Sequence, residues 1–165
     1  MSYKEGRKSK NIVSEPMALY VTQSSGSLFA GLFGSADRSA AAMSDFDLLQ
    51  RTRNGLPKRL LLSLAKKISL TFQEFADILH ISERTLQRYD DDTIIKTEYT
   101  EKAVELARLY TRGGEVFGSI DKFKTWMRTP LLVFHGETPL SLLDTSLGFD
   151  LVFKELGRIE HGIFA

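Results

Sequence analysis

Arg84, Gln87 and Arg88 are the side chains of this sequence best suited to read a chemically patterned surface. Arginine and glutamine can make paired hydrogen bonds to guanine and adenine in the major groove of DNA. Glu83 lies beside them, and the hydroxyls of Ser82 and Thr85 could reach phosphate oxygens on the same surface. Helical spacing turns Glu83, Arg84, Gln87 and Arg88 outward if Leu86 and Tyr89 face inward. The same residues would equally suit the solvated side of any helical hairpin. Asp90, Asp91 and Asp92 follow directly, and three carboxylates repel phosphate. Either the chain turns away from DNA there, or a single copy binds weakly.

Little else in the chain is placed for chemistry, and the reading is of a protein that is not an enzyme. His80, His135 and His161 fall in a turn, a loop and the tail, none with a sequence-local partner at metal or triad spacing. Gly113 and Gly114 follow a helical pattern and read as a stop signal rather than a phosphate loop. Cysteine is absent, which excludes disulfides and thiol chemistry and fits a reducing compartment. No cofactor and no metal is called for. No run approaches the roughly 18 apolar residues of a membrane span. Gly and Ser interrupt each apolar patch before Ala42, unlike a signal peptide. A cytoplasmic protein without membrane contact is expected.

The elements that must position these side chains are helical. Residues 1–43 open with Lys4, Arg7, Lys8 and Lys10 and run into a Gly/Ser-rich stretch. They read as a flexible arm, or as one that orders against a second subunit through Leu28, Phe29, Leu32 and Phe33. Ser44 and Asp45 can cap a short helix that Gly55 ends. Pro57 suits the first turn of a helix carrying Leu60, Leu61, Leu64 and Ile68. Thr71 to Glu74 spells a capping box. A further amphipathic helix over 100–110 presents Ala103, Leu106, Ala107 and Tyr110 on one face. The 165 residues carry a net charge of +1, unevenly spread. Residues 51–112 hold twelve bases and nine acids, and 113–165 hold five and seven. A basic middle and an acidic end would suit two different partners, or reflect simple scatter.

Phe75, Ile78 and Leu79 face one helix, Ala76 permits close crossing, Ile81 plugs the turn, and Ser82 caps a second helix. This pattern resembles the helix-turn-helix of phage-repressor-like (Xre-type) regulators. Its usual turn glycine is replaced by His80, which tolerates positive φ better than most residues.

Beyond it, Phe117, Ile120, Phe123, Trp126 and Met127 form an apolar helical stripe that Pro130 ends. Thr138 and Pro139 read as a cap and first residue of a short helix with Leu140, Leu142 and Leu143. Phe149, Val152, Leu156 and Ile159 mark a last helix that Gly162 ends, with Gly148 and Gly157 available for close packing or chain reversal. The runs 116–118, 126–130, 136–143 and 157–162 together resemble the toxin-binding domain of Xre/MbcA/ParS-type antitoxins, which follows an Xre-like helix-turn-helix in that family.

The resemblance implies an all-α protein: an arm over 1–43, a helix-turn-helix domain over 44–112 and a small helical toxin-binding domain over 113–165. It implies an antitoxin of a type II pair that covers the active site of a RES-domain, NAD-consuming toxin. It also implies repression of its own operon as a homodimer on operator DNA. The DNA contacts expected are Ser82, Glu83, Arg84, Thr85, Gln87 and Arg88. The toxin contacts expected are Phe149, Phe153, Arg158, Glu160, His161 and Gly162. Arg158, Glu160 and His161 would also suit a solvated final turn, where Arg158 and His161 meet the helix dipole favourably. The C-terminal domain is expected to fold and bind toxin without residues 1–112. The competing function is a free-standing repressor whose C-terminal domain dimerises or senses a ligand.

Overall fold

The computed structural model describes Leu28 and residues 45–162. Leu28 is buried; the rest of the expected arm, and the cap assigned to Ser44, lie outside the described residues. From Asp45 the chain runs α1 (Asp45–Asn54), β1 (Leu56–Pro57), α2 (Lys58–Lys67), α3 (Phe72–Leu79), α4 (Glu83–Arg88), β2 (Ile94–Ile95), α5 (Thr97–Phe117) and α6 (Ile120–Met127). Two 3-10 turns, Leu132–Phe134 and Pro139–Asp144, lead to α7 (Ser146–Glu160). The fold is all-α, since the strand pairing among the described residues is only the antiparallel pair Leu56 to Ile95 and Pro57 to Ile94.

Local chemistry sets the helix ends. Thr71 Oγ1 accepts from Glu74 N at 3.1 Å while Thr71 N donates to Glu74 Oε2 at 2.8 Å, completing the capping box of α3. The helix ends on His80, at φ 57° and ψ 34°, so histidine does occupy the left-handed turn position. Ile81 is buried beneath that turn, against Ala76 and Leu86 in one continuous core.

α2 starts without a side-chain cap. Its first amide groups donate across the fold instead: Lys58 N to Thr93 O at 3.0 Å and Arg59 N to Asp91 O at 2.9 Å. The loop after α4 therefore closes the start of α2. Lys58 is buried at 8% exposure, and its ammonium donates to Tyr89 O at 2.7 Å and lies 3.7 Å from Asp91. Arg59 pairs with Asp92. Two of the three consecutive carboxylates thus face basic side chains and a positive helix start, which neutralises much of their effect on an anion at α4.

α5 is the spine, in contact with α1, α2, α3, α6 and α7. It is twenty-one residues long and does not stop at Gly113 and Gly114; its end is Gly118, at φ 67°. The expected stop was wrong because Gly113 serves packing: a Cβ on it would run into the Phe123 ring. Tyr110 meets Phe123 edge-on at 5.1 Å, and Phe123 stacks on Trp126 at 5.6 Å. The core cluster on either side of α5 is continuous. The C-terminal helices therefore share a core with α5, where Tyr110 and Gly113 meet Phe123, so a cut at residue 113 divides that core.

Candidate nucleic-acid and partner interfaces

α4 is held rigidly with its polar side outward. Thr85 N donates to Ser82 Oγ at 3.1 Å, and the two hydroxyls lie 2.7 Å apart. Leu86 is fully buried, and Tyr89 is partly buried. Arg84, Thr85, Gln87 and Arg88 are exposed, whereas Glu83 is only half-exposed. With Ser82 also exposed at the start of the helix, five of the six residues expected at DNA are open. Ser82 and Thr85 spend one hydrogen bond on each other, leaving a hydroxyl proton to donate outward.

The expected partner residues are scattered by the structure. Phe149 is fully buried, with the Lys102 ammonium 4.7 Å from its ring centroid, so it is a core residue and cannot touch a partner directly. Its place on the stripe with Val152 and Leu156 was an apolar face turned inward, not outward. Phe153 is half-buried and borders a groove with Thr52, Glu101, Val104, Arg108 and Asp150. Arg158 pairs with Glu155 at 3.3 Å, and Glu160 pairs with Arg112 on α5. The tail is ordered by these pairs and by the turn in which His161 N donates to Gly157 O and Gly162 adopts φ 65°. Of the six, His161 and Gly162 stand fully open with no side-chain partner among the described residues.

Two features escaped the sequence. Arg128, just past α6, reaches back to α3: Nη1 donates to Glu74 Oε1 at 2.6 Å, and Nη2 to Oε2 and to Ser69 O, each at 2.9 Å. One capping carboxylate therefore ties the C-terminal helices to the helix-turn-helix. The bidentate guanidinium holds the Glu74 carboxyl at about 2, well below its ordinary 4.5. A carboxyl depressed in the folded state stabilises above its unfolded pKa and loses that contribution as pH falls towards 2. Arg128 is 45% exposed, so the contribution is screened to about 1 kcal/mol or less. Thermal melts of wild type and Glu74→Gln should differ near neutral pH and converge between about pH 5 and 2. A gap that stays constant over that range would mean the pair contributes nothing. The second feature is a set of exposed apolar side chains: Leu132, Val133, Leu147 and Leu151 stay open on the C-terminal segment.

The arrangement defines a class: a helix-turn-helix joined through one long helix to a small helical domain. Residues 47–108 match the antitoxin Xre-like helix-turn-helix domain, and residues 112–162 match the antitoxin Xre/MbcA/ParS C-terminal toxin-binding domain. The chain belongs to this family of Xre/MbcA/ParS antitoxins. It is similar to Antitoxin Xre of Pseudomonas putida, 29% identical over 120 residues that cover 72% of this chain and 74% of that one. Antitoxin Xre of Yersinia enterocolitica is 35% identical over 88 residues, 52% of this chain and 59% of that protein. A protein of Sphingobium named Prs ADP-ribosylating antitoxin is 29% identical over 99 residues, 54% of this chain and 62% of that one. The chain thus spans about three fifths of the length of the last two. Among the described residues no helix is long and apolar enough to cross a membrane, and no cluster of ligating side chains is placed to hold a metal ion.

Proposed function

We propose that this chain is the cytoplasmic antitoxin of a type II pair, which binds and blocks a RES-type, NAD-consuming toxin and represses its own operon through α4. The observation that carries the reading is a pair of surfaces built on one continuous core. An open Arg84, Gln87 and Arg88 face sits on a helix-turn-helix, and the Arg128–Glu74 bridge joins that motif to a domain of the toxin-binding family. The name of the Sphingobium relative concerns ADP-ribosylation, and ADP-ribose is a fragment of NAD; this supports a toxin acting on that cofactor.

The test of the antitoxin activity is growth. Expression of the neighbouring gene alone should arrest cells and deplete NAD, and co-expression of this chain should restore both. Truncation after Glu160 keeps the pairs of Arg158 and Glu160 but removes His161 and Gly162. It should abolish rescue while leaving the complex detectable if the tail occludes the toxin's active site. Full rescue by the truncated protein would remove the tail from the mechanism. Rescue without any change in NAD would point to a different toxin chemistry.

Operator binding is expected to be dimeric. A helix as short as α4 reaches few bases, so two half-sites about one helical turn apart are needed. Arg84→Ala and Arg88→Ala should each weaken binding by about 1–3 kcal/mol. Gel shifts with the chain's own promoter check this; unchanged binding by both variants would remove α4 from the DNA. A chain that shifts the promoter yet neither binds nor rescues against the neighbouring product would be a free-standing repressor.

A further inference from the structure

Large apolar side chains left open in water mark places where something else packs. Within the segment matched as toxin-binding, four remain exposed: Leu132 at 95%, Leu147 at 69%, Val133 at 44% and Leu151 at 42%. Their exposure is built in by the backbone. Leu132 and Val133 ride on a single 3-10 turn closed by His135 at φ 56°, which pins the loop through Gly136 N to Leu131 O at 2.9 Å. That turn buries Phe134 and leaves its two neighbours outside. Leu147 and Leu151 are one helical turn apart on α7, on the side opposite the buried Phe149 and Val152. Val133, Leu142 and Leu151 line one groove whose rim carries His135, Lys154 and Arg158.

The rim has a sign. Glu155 is engaged by Arg158 at 3.3 Å, while Lys154 has no ion pair among the described residues and stands one turn from Arg158. An apolar floor with a basic rim complements an apolar segment flanked by carboxylates. The geometry points to this groove as the seat of the partner toxin: Val133, Leu142 and Leu151 receive an apolar projection of that protein, and Lys154 and Arg158 meet acidic side chains beside it. The tail would then cover the partner's active site, while the groove supplies the affinity. This assignment rests on the antitoxin reading and deepens it. It moves the main contact from the expected Phe149 to the opposite side of the same helix.

The test uses the full-length chain and the purified product of the neighbouring gene, with affinity read by titration calorimetry. Val133→Glu and Leu151→Glu alter exposed side chains that line the groove, so their melting temperatures should match wild type. Each should weaken the complex roughly 30-fold or more, the loss typical of a central interface residue. Lys154→Glu should weaken it less and flatten its dependence on salt. If the wild-type chain binds and both the Val133 and Leu151 variants bind equally well, the groove is not the seat. If instead the wild type alone is a dimer that Leu151→Glu makes monomeric, with toxin affinity intact, the groove joins two copies of this chain and the assignment is overturned. If the wild type does not bind the neighbouring product at all, the antitoxin reading and the groove assignment fall together.

Discussion

Gly148→Ala is expected to destabilise the protein by about 3 kcal/mol or more, at the upper end of what a single added methyl costs in a packed interior. Gly148 is buried in the first turn of α7, where its amide donates to Thr145 Oγ1 at 3.1 Å. A Cβ there would overlap the carbonyl oxygen of Leu142 and lie 2.6 Å from its carbonyl carbon. The obstacle is backbone, fixed in the 3-10 turn Pro139–Asp144, so no side-chain rotation relieves it. The turn and α7 would have to separate, opening the core at Leu143 and Phe149. Gly113 and Gly114 give the same measurement an internal control. Gly113→Ala meets the Phe123 ring and should cost about 1–3 kcal/mol. Its neighbour Gly114 has only Ile120 atoms at 3.8 Å and beyond, so Gly114→Ala should add about 0.5–1 kcal/mol through helix propensity. Urea unfolding of the three variants decides it. Equal stability of Gly113→Ala and Gly114→Ala would mean that α5 and α6 do not approach as closely as described.

What could be read from the chain alone was what is local. Thr71 and Glu74 announce their helix because the capping box closes within four residues. Phe75, Ile78, Leu79 and Leu86 announce their burial because period and turn length fix which side faces in. Thr138 and Pro139 behave the same way, with Thr138 Oγ1 accepting from Ser141 N at 3.2 Å. Gly113 was ambiguous, since a glycine after an apolar helical run serves a stop as well as a close approach; Phe123, ten residues on, decides between them. Phe149 and Leu151 are both apolar and both on α7, and only the helices packed behind α7 determine which is hidden. The Glu74–Arg128 bridge spans fifty-four residues of sequence and left no local trace. The apolar run from Leu131 to Phe134 did leave one: enclosed between Pro130 and Gly136, it is too short for an α-helix to bury all four. Its exposed member Val133 lines the groove.

A fragment of residues 113–165 is expected to be largely unfolded, whereas 97–165 should fold. The cut at 113 falls inside α5 and leaves only its last few residues. Phe123 then loses Tyr110 at 5.1 Å, and the C-terminal helices lose the α5 side of a core that is continuous with theirs. α6 is eight residues long, below the length at which an isolated helix survives in water without packing. A chain this short buries too little apolar surface to replace what it lost. Restoring Thr97 to Arg112 returns that wall. It also returns the Lys102 ammonium, which sits over Phe149 and donates to Ser146 Oγ at 3.1 Å, and Arg112, which pairs with Glu160. The longer fragment still lacks Glu74, so Arg128 should be free in it, at a cost of about 1 kcal/mol or less. Circular dichroism with thermal melting distinguishes the two fragments, and the neighbouring gene product added to each reports whether partner binding follows folding. A cooperative melt from 113–165 would show that the C-terminal helices carry a complete core of their own. A featureless 113–165 beside a cooperative, partner-binding 97–165 would make α5 a shared wall of both halves, so that tension applied at one surface can be felt at the other.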